Sequence, residues 1–183
     1  MLLDLERGDR LTLSTLHTTV HVGAHADAAS HYGAEAPSIE KMPLDRYLGE
    51  CQVVKVSQAV DGRIVEGDWL ETIVGSRVLL ATGSYPDPTV WSEEFLGIDP
   101  NLVAAFAARG VTLVGIDTPS VDPATSKDLP AHQAFLAHDI AILEGIVLTE
   151  VPEGRYELIA LPLPLVGFDA SPVRAVLRTL PPE

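Results

Sequence analysis

Residues 99–117 read DPNLVAAFAARGVTLVGID, and the fold class turns on how this stretch divides. Asp99 offers an oxygen to the first free amides of a helix, and Pro100 suits the first helical position, where an N–H would go unpaired anyway. The alanine-rich body favours helix and Gly110 stops it. The run that follows, VTLVGID, is continuously apolar and too short for a second helix, so it is predicted to be a strand covered on both faces. A helix leading straight into a buried strand predicts an α/β protein.

Working outward, LTLSTLHTTVHV (11–22), CQVVKVSQAV (51–60) and RVLLATG (77–83) are rich in β-branched residues and bounded by turn formers, which predicts three more strands. Downstream, the loop DTPSVDPATSKD (117–128) leads to an amphipathic stretch, LPAHQAFLAHD (129–139), and a strand-like RYELIALPLPLV (155–166). Repeats, low-complexity tracts and linkers are absent, so residues 1–183 are expected to form a single domain. The expected architecture is a mixed sheet or barrel flanked by helices, not a regular doubly wound fold.

Composition narrows the function. With 46% hydrophobic residues the chain is expected to fold. The formal charge of −14 comes with no Lys/Arg cluster able to neutralise a row of phosphates, which excludes nucleic acid as an expected partner. Cys51 is the only cysteine, cannot form an internal disulfide, and in CQVVKV is expected to be a core residue. No apolar run reaches the ~18 to 20 residues of a membrane span, and the N-terminus is charged where a signal peptide is apolar, so the expectation is a cytoplasmic protein with no membrane partner.

The chemistry lies in HVGAHADAASH (21–31). Small residues separate ligand-type side chains at spacings of 4, 2 and 4, as a loop needs if several groups must turn toward one point. A lone histidine is more often a hydrogen-bonded loop residue. His21, His25, Asp27 and His31 together point instead to a metal ion, with Zn, Mn or Fe suited to mixed imidazole and carboxylate ligands. His17 and His21 would lie about 13 Å apart on a straight strand, so at most one can bind directly. Gly23 favours His21, because the chain can turn there and bring His25 back. His25 and Asp27 project to one side of an extended backbone. GxSxG, phosphate-loop and HExxH motifs are absent, which leaves metal-activated water as the nucleophile the chain can best supply and a small molecule as its substrate. Asp117 and Ser120, just past a buried strand, are candidates for supporting the site, although Asp117 could equally cap a turn before Pro119. His138, six residues beyond His132, is expected in solvent.

HVGAHADAASH resembles the HxGxHxDxPxH signature of the metal-dependent cyclase-like hydrolases, whose best-known members are the bacterial kynurenine formamidases; Ala29 stands where the family has proline. The resemblance extends through PLDRYLGECQVV (43–54), GVTLVGIDTPSVDP (110–123), SKDLPAHQAFL (126–136), AILEGIVL (141–148) and VPEGRYELIALPLPLVGFDASPVRAVLR (151–178). It implies a swivelling β/β/α fold, two divalent metal ions per chain, usually zinc, and hydrolysis of N-formyl-L-kynurenine to L-kynurenine and formate. Carried over by position, His21, His25 and Asp27 would bind one metal, with Asp27 bridging to a second. His132 and Glu144 would complete that second site, Glu144 bridging as well, and His31 would be the proton donor and acceptor.

Two alternatives stay open: a related hydrolase of another aryl or cyclic amide such as isatin, and an inactive metal-binding protein. The second arises because MLLDLERGDR resembles the middle of the family's first long hairpin, so that an aromatic wall for the substrate would precede Met1. The same comparison leads to the expectation of a homodimer or larger assembly. The assignment also constrains the backbone. Along one straight helix His132 and Glu144 would stand ~18 Å apart and about 120° around the axis. A short helix is therefore expected from about Ala131 to His138 or Asp139, followed by a reversal that returns Glu144.

Overall fold

The helix and strand read from residues 99–117 are adjacent in the computed structural model, which describes residues 2–181. In chain order the elements begin with β1 (His25–Asp27), β2 (Leu48–Lys55), β3 (Ala59–Val60), β4 (Arg63–Ile64), β5 (Arg77–Ala81) and β6 (Gly97–Ile98). They continue with α1 (Pro100–Ala108), β7 (Leu113–Ile116), α2 (Pro130–Ala137), β8 (Ala141–Glu144), β9 (Gly154–Ile159), β10 (Ala170–Pro172) and β11 (Val176–Thr179). Eight strands form one mixed sheet in the order β10-β1-β8-β7-β5-β2-β9-β11, and β3, β4 and β6 form a small second sheet. The four central strands β8, β7, β5 and β2 run parallel, and antiparallel strands close both sides.

Alternation along the central strands sends side chains to two cores. Val54, Val78, Leu80, Val114, Ile116 and Ile142 face one side, where Leu102, Val103 and Phe106 of α1 and Ala131 and Phe135 of α2 cover them. Val53, Leu79, Leu113 and Leu143 face the other, against Ile39, Met42, Tyr47 and Leu158. All four residues of β7 are buried, as the continuous apolar run requires. Cys51 lies in the second core, and burial pushes its thiol up to about 11, the behaviour of a packing residue and not of a nucleophile.

The boundaries of α1 follow the sequence signals closely. Asp99 accepts the amide of Asn101 at 2.8 Å, Pro100 is the first helical residue, and Gly110 takes φ 74 just beyond the end. The second helix ends before its capping residue His138, which is exposed, and Asp139 turns the chain at φ 53 into β8. His132 and Glu144 thus lie on a helix and a strand joined by a reversal. Arg46 grips that turn, donating to both carboxylate oxygens and the carbonyl of Asp139 at 2.6–3.0 Å.

Three expected strands differ, and the run 51–60 is one of them: it ends in the large sheet at Lys55 and resumes as β3 in the small one. Residues 14–20 have no strand partner, Leu13 makes only an isolated bridge to Leu3, and His17 is exposed. A two-residue period suits a strand but cannot supply the neighbour whose backbone would pair with it. The stretch from Arg155 stays a strand only to Ile159, because Pro162 and Pro164 have no N–H to donate to a ladder.

Phe106 is fully buried between α1 and the sheet, so Phe106→Ala is expected to lower unfolding stability by about 3–5 kcal/mol, the transfer and cavity cost of a large aromatic. Asp99→Ala removes only a helix cap and is expected to lower it by about 0.5–2 kcal/mol. Urea unfolding of the two variants would separate the contributions.

Candidate metal centre

The chain reaches the site at Gly23, whose φ of 58 lets it turn after His21 into the short strand β1. That strand lies between β10 and β8, and its register sets His25 opposite Glu144. Approach here is close: a Cβ on Gly145 would stand 2.4 Å from the carbonyl oxygen of Gly23, and Gly145 has φ 64. Only glycine permits both the turn and the contact. The extended backbone of β1 turns His25 and Asp27 to one side, the first turn of α2 supplies His132, and the reversal after α2 brings Glu144 to the same place.

Asp27 is the floor of the site. Its side chain has 0% exposure, and neither carboxylate oxygen has a hydrogen-bond partner. Around it stand His21 Nδ1 at 3.2 Å, His25 Nε2 at 3.6 Å and His132 Nε2 at 3.6 Å. Glu144 closes the ring, with Oε2 3.1 Å from His25 Nε2 and Oε1 3.6 Å from His132 Nε2. Each of the two carboxylates therefore faces imidazoles from two directions.

Other acceptors orient these rings from outside. His25 donates from Nδ1 to the Gly23 carbonyl at 2.9 Å, and His132 donates from Nδ1 to Asp122 at 2.8 Å. In the neutral tautomers so defined, both Nε2 lone pairs point at carboxylate oxygens. Lone pairs facing buried anions call for a cation, and the orphaned atoms His25 Nε2, Asp27 Oδ1 and Asp27 Oδ2 are the ones it would satisfy. Ligand atoms of His21, His25, Asp27 and Glu144 lie within 4.8 Å of one another, as do those of Asp27, His31 and His132. The residues fit a metal centre in donor chemistry and in spacing.

His31 stands apart in exposure. Its side chain is 31% accessible, at the rim, and its Nδ1 lies 3.2 Å from Asp169 Oδ2. The same oxygen takes His21 Nε2 at 3.1 Å. Ala29 begins a short 3-10 turn that ends at His31 and turns the chain toward the site.

Asp122 and Asp169 were not among the sequence candidates. Asp117 instead holds the loop after β5, accepting from the amides of Thr82 and Gly83 and the hydroxyl of Thr82. Ser120 accepts the amide of Asp122 at 3.2 Å. The argument that singled out Asp117, an acid just past a buried strand, applies equally to Asp122, and no local signal chooses between them. Asp169 has no signal in its own neighbourhood at all: it reaches the site because β10 pairs with β1.

The electrostatics follow from this enclosure. Burial alone would lower the pKa of His21, but Asp27 and Asp169 beside it prevail and push it up to about 9. Burial likewise opposes the charged form of His132, and Asp122, Asp27 and Glu144 push it up to about 10. Burial would raise Asp27, but His132, His21 and His25 hold its carboxyl below the usual carboxylate range. Without metal, protons on the imidazoles balance the buried anions.

A raised folded-state pKa stabilises fully below the unfolded value, near 6.5 for histidine, and that stabilisation is lost as pH rises through the folded value. For His21 and His132 the window runs from about 6.5 to about 9 and 10. The melting temperature of the metal-free protein, measured in chelator, is expected to fall across it. A flat or rising profile would contradict this charge balance.

Known proteins resemble this chain in sequence and in fold. A family model described as "Putative cyclase" matches residues 5–123. A solved structure described as a potential metal-dependent hydrolase with cyclase activity is 30% identical over 88% of this chain and 80% of its own, with a TM-score of 0.77. Another, described as a predicted metal-dependent hydrolase from Bacillus stearothermophilus, is 31% identical over 92% of this chain and 82% of its own, with a TM-score of 0.77. Isatin hydrolase A from Labrenzia aggregata, bound to benzyl benzoate, is 20% identical over 95% of this chain and 79% of its own; its TM-score of 0.78 is a likeness of fold. No helix among the described residues is long and apolar enough to cross a membrane.

Proposed function

The chain belongs to the cyclase family, and from that premise we propose that it is a metal-dependent hydrolase of small aryl amides, with N-formyl-L-kynurenine as its substrate. The observation that carries the reading is the Asp27 carboxylate, wholly buried, without a hydrogen-bond partner and ringed by three imidazoles. In this reading His21, His25 and Asp27 would hold one divalent cation, and His132 and Glu144 would hold a second. Asp27 faces His21, His25 and His132, and Glu144 faces His25 and His132, so either carboxylate could serve both cations. Bound there, a cation such as zinc would polarise the formyl oxygen and lower the pKa of water toward neutrality.

The remaining work falls to the side chains. Hydrolysis breaks the bond between the formyl carbon and the aryl nitrogen; the oxygen of water joins the carbon, and the nitrogen takes a proton. An arylamine leaves poorly as an anion, so the proton must arrive as the bond breaks. His31 suits that task, because Asp169 engages Nδ1 and leaves Nε2 free at the accessible rim. Asp169 also takes His21 Nε2, so one carboxylate oxygen orients a proposed ligand and the proposed proton donor together.

Elemental analysis of the purified protein is expected to find about two divalent metals per chain. His25→Ala and Asp27→Ala should remove most of that metal, since they take away inward-facing donors. His31→Ala should retain it and lower kcat by about 10²- to 10⁴-fold, the usual contribution of a positioned acid or base. Metal loss in His31→Ala equal to that in the other two would overturn its role.

The metal centre determines the reaction class more than the ring that docks beside it. Turnover of N-formyl-L-kynurenine is therefore to be compared with turnover of isatin, a cyclic aryl amide, and the higher kcat/KM is expected for the formyl substrate. Preference for isatin would move the assignment to the cyclic amide, and a metal-loaded protein that hydrolyses neither would make it a binding protein.

A further inference from the structure

Residues 121–123 join the small sheet to the proposed metal centre. The amide of Val121 donates to Glu144 Oε1 at 2.7 Å, and its carbonyl accepts the amide of Ile98 of β6 at 2.7 Å. Close packing holds this junction: a Cβ on Gly97 would meet Pro123 Cδ at 2.6 Å and the Val121 carbonyl oxygen at 2.8 Å. Between these residues lies Asp122, whose side chain has 0% exposure. One of its oxygens accepts the amide of Ala131 at 3.2 Å; the other accepts the amide and ring Nδ1 of His132 at 3.1 and 2.8 Å.

A fourth donor to Asp122 comes from outside the large sheet. Arg63 of β4 donates from Nη1 to Asp122 Oδ1 at 2.8 Å and to the carbonyl of Ile98 at 2.9 Å. Among the described residues it is the only donor to this carboxylate that carries a permanent charge. A buried carboxylate left to neutral donors is poorly compensated and free to shift, and a shift of Asp122 would carry the His132 ring with it.

We infer that Arg63 is a positioning residue of the metal centre, holding the His132 ring in its coordinating orientation through Asp122. The small sheet thereby acquires a role, since β4 and β6 together hold this junction against the end of α2. The inference rests on the reading of His132 as a ligand, so its test carries a control for that reading.

The test titrates zinc into the metal-stripped protein against a competing chromophoric chelator, with the melting temperature recorded in chelator alone. Wild type is expected to bind two equivalents, and His132→Ala to lose one. Retention of both by His132→Ala refutes the ligand assignment and the inference with it. In Arg63→Met one equivalent should keep its affinity and the other should weaken by about 10- to 100-fold, the usual effect of removing a group that orients a ligand. Arg63→Lys keeps the charge but not the reach of the guanidinium, and is expected to fall between Arg63→Met and wild type. Two outcomes overturn the role of Arg63 while leaving His132 a ligand: wild-type affinity for the second equivalent in every Arg63 variant that folds, or an equal loss for both equivalents alongside a lower melting temperature.

Discussion

A carboxylate with no exposure and no hydrogen-bond donor of its own is a severe constraint on a fold. Removing such a charge from water costs several kcal/mol, and the structure must return that stabilisation through opposite charge nearby. Asp27 is such a group, and the parts of the chain that meet around it are arranged as the constraint demands. Three imidazoles come from a loop, a strand and a helix. Ala26 and Ala28 flank the aspartate and are fully buried, leaving room for the rings to close over it. The three-residue strand β1 is held on both sides, which fixes the direction of its side chains.

The rings are directed mainly by acceptors that lie behind them. Gly23 takes one nitrogen of His25, Asp122 takes one of His132, and Asp169 takes one each from His21 and His31. Each acceptor dedicates the other nitrogen of its ring. Asp122 also takes over a task the local sequence leaves undone. The N-cap position of α2 is Leu129, in a left-handed conformation at φ 46 and without a capping side chain. Such a conformation costs a non-glycine residue about 1–3 kcal/mol. The Asp122 carboxylate accepts two of the first amides of α2, offsetting that strain and placing negative charge at the positive end of the helix. One side chain therefore starts the helix and aims the histidine on it.

The geometry of the reversal after α2 is as important as the identity of the side chains it brings together. His132 lies in the first turn of an eight-residue helix, and Glu144 ends the strand that follows. Asp139 turns the chain between them, held by Arg46 from the segment before β2. A longer helix would have carried the glutamate away from its histidine. A short helix backed by a sheet returns the chain within one turn to the level at which it left.

Local patterns were legible where the physics is local. The capping and stop signals of α1, the buried run of β7, and the spacing of His21, His25 and Asp27 around Gly23 all depend on backbone conformation within a few residues. The break between His132 and Glu144 followed from helix dimensions once both were placed at one site by family resemblance. The alternating pattern of residues 11–22 misled, because alternation describes a strand's two faces without providing a partner for its edges. Asp122 and Asp169 were decided by tertiary structure alone. One meets its histidine because the loop after β7 meets the first turn of α2, the other because β10 pairs with β1. Neither contact leaves a periodic trace in the chain, since a carboxylate in a loop looks the same in sequence whether it faces water or an imidazole.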